Sequence, residues 1–191
     1  MKKLIIIPVM AALLFVAADS FAQGFGVKGS FNMFNLSEKD AQGDKVENKM
    51  LPVFDAGVFY EFGIAPEFYI RPELLFAQKG AKQELTEAKE LISYLELPIL
   101  FLYKGGLGDS HVLLGFGPYI SYGIIGDHFK NDKYKPLDFG GKLMAGYEFK
   151  GGISASLNTS YGLTDIENDD LDSSTKNVGF GLTLGYRFGG K

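Results

Sequence analysis

From residue 24 onward, apolar residues recur at every second position over runs of ten or more, the period of a β-strand with one apolar and one polar face. Residues 24–36 set Phe25, Val27, Phe31 and Met33 against Lys28, Ser30 and Asn32. Residues 53–63 set Phe54, Ala56, Val58, Tyr60 and Phe62 against Asp55, Gly57 and Glu61. In residues 67–78 Phe68, Ile70, Leu74 and Phe76 oppose Tyr69, Arg71 and Glu73, and in residues 93–104 Leu95, Leu97, Ile99, Phe101 and Tyr103 oppose Glu96. Residues 111–124 carry Val112, Leu114, Phe116, Ile120 and Tyr122 opposite Gly115, Gly117, Tyr119 and Ser121. Three more stretches, 137–149, 152–163 and 177–188, present Asp138, Lys142 and Glu148, then Ser154, Ser156, Asn158 and Ser160, then Thr183 and Arg187 on their polar faces. Pro72 and Pro98 interrupt the pattern and are expected at a bulge or a strand edge.

The connections alternate in length. Residues 37–51, 79–92, 126–136 and 164–176 form long ones, and residues 64–66, 105–110 and 150–151 form short ones. Eight strands with tight turns on one side and long loops on the other predict an all-β fold, an eight-stranded antiparallel up-and-down transmembrane β-barrel. A soluble lipocalin-like ligand-binding barrel alternates too, with its apolar face inward. The polar face here is largely Gly, Ser, Thr and Asn with scattered charges, which suits a narrow lumen better than a solvated wall. Aromatics also cluster at both ends of the apolar face: Phe25, Phe62, Phe68, Tyr103, Phe149 and Phe188 toward the short turns, and Phe54, Phe76, Tyr122, Phe139 and Tyr161 toward the long loops. Two such girdles mark membrane interfaces.

The N-terminus reads as an export signal: Lys2 and Lys3, an apolar run over residues 4–18, then Ser20, Phe21 and Ala22 at the cleavage position. Residues 1–22 are expected to be removed, leaving residues 23–191 as one outer-membrane barrel domain. The absence of cysteine excludes a disulfide framework, thiolate metal sites and an N-terminal lipid anchor. A net charge of -4 without a basic stripe excludes nucleic acid as a partner. The cell outer membrane is the expected location and its lipid the expected partner, with a protein partner met through the extracellular loops or periplasmic turns.

Asp55, Glu61, Arg71, Glu73, Glu96, Lys142, Glu148 and Arg187 all fall on the polar face, and as lumenal residues of opposite charge on neighbouring strands they are expected to form a structural ion-pair network. His111 falls beside a short turn and His128 in a long loop, so a bilayer core separates them and they cannot share a catalytic site. The acidic run Asp165, Glu167, Asp169, Asp170 and Asp172 lacks calcium-loop spacing and is expected to be a solvated loop. Lys79, Lys82 and Lys89 are expected on another external loop, where they could meet lipid phosphates, and residues 81–91 have mild helical character. No catalytic residue, metal ligand or cofactor is expected.

The segments Tyr94-Leu95-Glu96-Leu97-Pro98, Gly115-Phe116-Gly117-Pro118-Tyr119 and Ser160-Tyr161-Gly162-Leu163-Thr164-Asp165-Ile166 resemble the PorT-like outer-membrane β-barrel family over the whole mature chain. The resemblance implies a fold and a location rather than a catalytic site. One named member of that family contributes to protein secretion across the outer membrane. The expected role is therefore a small non-enzymatic barrel with a packed polar lumen. A narrow channel and an accessory of a secretion system are its alternatives.

Overall fold

Strands whose outward residues are apolar cannot leave an open edge in hydrocarbon, where each unpaired backbone group costs several kcal/mol. The chain meets that demand by closing its sheet. The computed structural model describes residues 24–39, 45–46, 48–83, 89–125, 135–166 and 174–189. Ten strands occur among them: β1 (Phe25–Lys39), β2 (Lys45–Val46), β3 (Asn48–Tyr60), β4 (Phe62–Ala65), β5 (Phe68–Gln83), β6 (Lys89–Leu107), β7 (Ser110–Ile125), β8 (Leu137–Glu148), β9 (Ile153–Gly162) and β10 (Ser174–Arg187). β3 and β4 are one wall strand interrupted at Glu61, and β2 is a short rung against the end of β1. The wall therefore has eight strands, each antiparallel to the next, and β10 pairs with β1 to close it.

A circuit of hydrogen-bonded partners that leaves at Phe62 passes Ile70, Phe101, Phe116, Leu143, Thr159, Phe180 and Met33. It returns to the same wall strand at Pro52, a stagger of ten residues. In a closed eight-stranded wall that stagger corresponds to a strand tilt of about 40°. One residue along a strand then climbs about 2.5 Å and one step to the next strand about 3 Å. On this grid Phe54, Phe76, Tyr122, Phe139 and Tyr161 share one level, about 20 Å above the level of Phe25, Phe62, Phe68, Tyr103, Phe149 and Phe188. The height approaches the apolar band of an outer-membrane barrel, about 25 Å.

The apolar face points outward along the whole wall: Phe116, Leu157, Leu184 and Phe54 are each more than half exposed. That orientation rules out the lipocalin-like alternative, which needs those residues inside. The lumen is not uniformly small and polar, as the alternation alone suggested. Large residues from the β3–β7 half, such as Phe59, Leu75, Leu102 and Tyr119, are buried inside. They lie against glycines of other strands: the Phe59 ring covers Gly26, and the Tyr119 ring covers Gly140.

Three local features differ from expectation. Pro72 and Pro98 sit at neither bulge nor edge; the ladder skips two rungs beside each, with no register shift at either place. A proline has no N–H to donate, so the gap is the least costly solution in a wall without edges. β5 and β6 run on to Gln83 and back from Lys89, so the ends of the segment with helical character are strand, and residues 84–88 lie outside the described residues. Finally Lys79, expected in an external loop, is inside the barrel and 1% exposed.

Candidate functional site

The lumen holds the chemistry of this chain in three layers stacked from the short-turn end to the long-loop end. Strand alternation places each side chain, since residues separated by two share a face.

At the short-turn end Glu61, beside the break between β3 and β4, receives hydrogen bonds from Arg71 and, at 2.9 Å, from Lys104. Lys104 also reaches both oxygens of Glu148 at 3.0 and 3.1 Å, and Arg187 donates to Glu148 at 2.8 Å. His111 lies at the rim with Nδ1 3.8 Å from Glu148. Beyond this floor a recess of about 480 Å³ opens between the β6–β7 and β8–β9 turns, bridged by the exposed Lys150–Asp109 pair at 2.7 Å.

In the middle Lys28 pairs with Glu73 at 2.8 Å, Lys142 pairs with Glu96, and Asn32 donates to Asp55 at 2.7 Å. A cavity of about 20 Å³ remains there, lined by Lys28, Asp55, Glu73 and Lys142 among others, room for about one water. Above it Lys79 bridges Glu96 at 2.7 Å and Asp138 at 3.0 Å, with its ammonium 4.0 Å from the centre of the Tyr119 ring. Asp138 also accepts from Asn177 at 3.0 Å and Tyr119 at 3.2 Å. A final apolar layer of Leu36, Ala81, Ile92, Tyr94 and Ile166 caps the network. The chain after β9 drops Ile166 into the mouth, held by backbone bonds to Lys135 and Thr175.

All eight residues expected in the network lie in the lumen. Glu61, Arg71, Glu148 and Arg187 meet at the short-turn end, Lys142 and Glu96 meet in the middle, and Asp55 and Glu73 stand nearby with Asn32 and Lys28 as their own partners. Sequence reasoning passed over Lys79, Lys104, Lys28 and Asp138 as members. The signal was present: Lys79 continues the inward row Glu73, Leu75, Ala77, and Lys104 the row Glu96, Leu100, Leu102. With them the described lumen balances six cations, Lys28, Arg71, Lys79, Lys104, Lys142 and Arg187, against six carboxylates, Asp55, Glu61, Glu73, Glu96, Asp138 and Glu148. Each carboxylate is already engaged by a cation or an amide donor, so the arrangement suits packing better than proton transfer. His128 and the acidic residues Glu167, Asp169, Asp170 and Asp172 lie outside the described residues, while Asp165 accepts the Thr175 amide at 2.9 Å.

A model of the family described as outer membrane protein beta-barrel domain matches residues 5–188. The chain belongs to this family. Its closed wall and outward apolar belt are what membership requires, and they place it in the outer membrane. No curated protein matches it in sequence. Among solved structures, Neisserial surface protein A is 10% identical with a TM-score of 0.50, over 86% of this chain and 97% of that one. The outer membrane protein OprG from Pseudomonas aeruginosa is 14% identical with a TM-score of 0.49, over 88% of this chain and 97% of that one. Ail, the attachment invasion locus protein of Yersinia pestis, is 16% identical with a TM-score of 0.42, over 87% and 99% respectively. At 10% identity the likeness to Neisserial surface protein A is one of fold alone, and the residues of the lumen must speak for this chain.

Proposed function

We propose that this chain is a sealed, non-enzymatic barrel that conducts no solute and holds its long extracellular loops at the cell surface for contact with another molecule. The observation that carries the reading is the filling of the lumen among the described residues: three ion-pair layers and an apolar cap, with a cavity of about 20 Å³ between the ion pairs of the middle layer. Buried pairs of this kind are expensive to open, because removing one partner strands the other charge in a low dielectric. A conducting path would have to break several at once. Proteoliposomes carrying the folded protein should therefore swell no faster in small sugars than empty ones. Swelling that tracks solute size would establish the channel alternative instead.

On the same reading residues 1–22 are a cleaved export signal, and N-terminal sequencing of the mature protein should begin at Gln23. A finer placement in the PorT-like branch draws on the three segments that resemble it. The secretion-accessory alternative draws on that resemblance and on the recess between the periplasmic turns, which offers a partner a foothold. Loss of secreted cargo in a deletion strain would favour it, and unchanged cargo would leave the loops as the working surface.

A further inference from the structure

The cavity of about 20 Å³ in the middle layer has a built polar lining. Lys28 and Ser30 of β1, Asp55 of β3, Glu73 of β5, Lys142 of β8 and Thr183 of β10 all border it. Glu73 is 2% exposed and gives one oxygen, Oε2, to Lys28 at 2.8 Å. Its other oxygen, Oε1, is buried with no hydrogen-bond partner among the described residues. Asp55, also buried, is met by neutral donors, the Asn32 amide at 2.7 Å and the Gln78 backbone N–H at 3.2 Å. A buried carboxylate oxygen without a donor has lost its hydration with nothing in return.

The same lining carries the opposite need. An ammonium group has three N–H donors. Lys28 directs one at Glu73, and Lys142 is paired with Glu96. A metal cation would satisfy the Glu73 oxygen, but it offers the two ammonium groups no lone pair and would stand beside their positive charges. A water molecule offers two lone pairs and two O–H donors, and the volume matches one. The neighbouring layers isolate the place. Toward the short turns Glu61, Arg71, Lys104 and Glu148 are joined by hydrogen bonds, and toward the long loops Lys79 lies between Glu96 and Asp138.

We propose that this cavity is a binding site for one water molecule, held between the Lys28 and Lys142 ammonium groups and Glu73 Oε1 as a fixed part of the fold. The inference rests on the sealed reading of the lumen, since an open lumen would hold a file of waters rather than one. The water enters as the barrel closes and joins the pairs of the middle layer into one network.

The test detects the water and then displaces it. Cross-peaks between long-lived water and backbone amides are recorded on the mature, deuterated chain folded in detergent micelles. They should appear at Ser30, Glu73 and Thr183 and be absent at Leu102 and Leu113, which are buried but do not border the cavity. Ser30→Thr adds one methyl group, close to the cavity in size, and keeps the hydroxyl that meets Thr183 at 2.8 Å. Threonine also suits a strand, so filling a dry void this way would raise the urea midpoint of the folded band. Displacing a bound water should instead remove the cross-peaks and lower the midpoint. In a Lys28→Met/Glu73→Met background, where Glu73 Oε1 no longer needs a donor, the same substitution should leave the midpoint unchanged or raise it, whereas a steric clash would lower it in both backgrounds. Cross-peaks missing from the unsubstituted chain, cross-peaks unchanged by Ser30→Thr, a raised midpoint in Ser30→Thr alone, or an equal fall in both backgrounds would overturn the proposal. Cross-peaks running on through the amides of Lys104 and Lys79 would overturn the sealed reading with it.

Discussion

At the scale of single residues the lumen is a fitted interior, and its two kinds of contact predict different responses. A Cβ at Gly26 would stand 2.2 Å from the Phe59 ring, and one at Gly140 would stand 2.3 Å from the Tyr161 carbonyl oxygen and 2.6 Å from the Tyr119 ring. Overpacking of this kind costs about 1–3 kcal/mol. Gly26→Ala should therefore lower the urea midpoint of the folded band, and Phe59→Leu in the same chain should restore part of it. Gly140→Ala should not be rescued by trimming Tyr119 alone, because backbone also blocks its Cβ. The charges respond through pairing. Glu96 holds Lys79 and Lys142 together in the middle of the barrel, both its partners largely buried. Glu96→Gln should cost about 3–5 kcal/mol, because Lys142 loses its carboxylate and Lys79 is left with Asp138 alone. Adding Lys79→Met to Glu96→Gln should cost less than the two single losses combined, read from the same urea transition.

Among the elements, the turns and the closing seam carry the testable strain and support. Glu67, in the turn between β4 and β5, holds a positive φ of 63° with its carbonyl accepting from the Lys104 amide. A non-glycine residue pays about 1 kcal/mol there, so Glu67→Gly should raise stability by up to about that amount. The seam between β1 and β10 runs over fourteen paired positions and is finished outside by Phe25 stacked on Phe188, ring centres 5.6 Å apart. Phe188→Ala should lower the stability by about 1 kcal/mol, read from the urea transition, and slow closure of the barrel, followed as the appearance of the fast band during refolding.

The strands were legible in the sequence because one period-two rule governs every wall residue, and both aromatic levels followed from it. Their ends were less legible. β5 and β6 outrun the apolar pattern into residues rich in Lys and Glu, where hydrophobic alternation carries no signal, and Lys79 was assigned to a loop for that reason. Membership of the ion-pair network was half legible. Periodicity says which residues face inward, but which of them meet depends on the ten-residue stagger of the wall, which only the register reveals.

At the scale of the whole molecule the sheet is turned with its apolar residues toward lipid and its charges toward a filled interior, the reverse of a soluble barrel. Closure removes edges and the stagger aligns the two aromatic levels, and the function proposed above assigns contact with other molecules to the loops and turns. The chain has no cysteine, so single thiols can read this arrangement directly. Ser30 and Phe31 are adjacent on β1, the first buried in the lumen and the second 47% exposed on the outer wall. The decisive measurement is the labelling of Ser30→Cys and Phe31→Cys in reconstituted protein by a small water-soluble maleimide and by a lipid-soluble one. A sealed barrel in a bilayer predicts that Phe31→Cys reacts with the lipid-soluble reagent only and Ser30→Cys with neither until the protein is unfolded. Rapid aqueous labelling of Ser30→Cys would contradict the sealed lumen, and aqueous labelling of Phe31→Cys would contradict the membrane-facing wall.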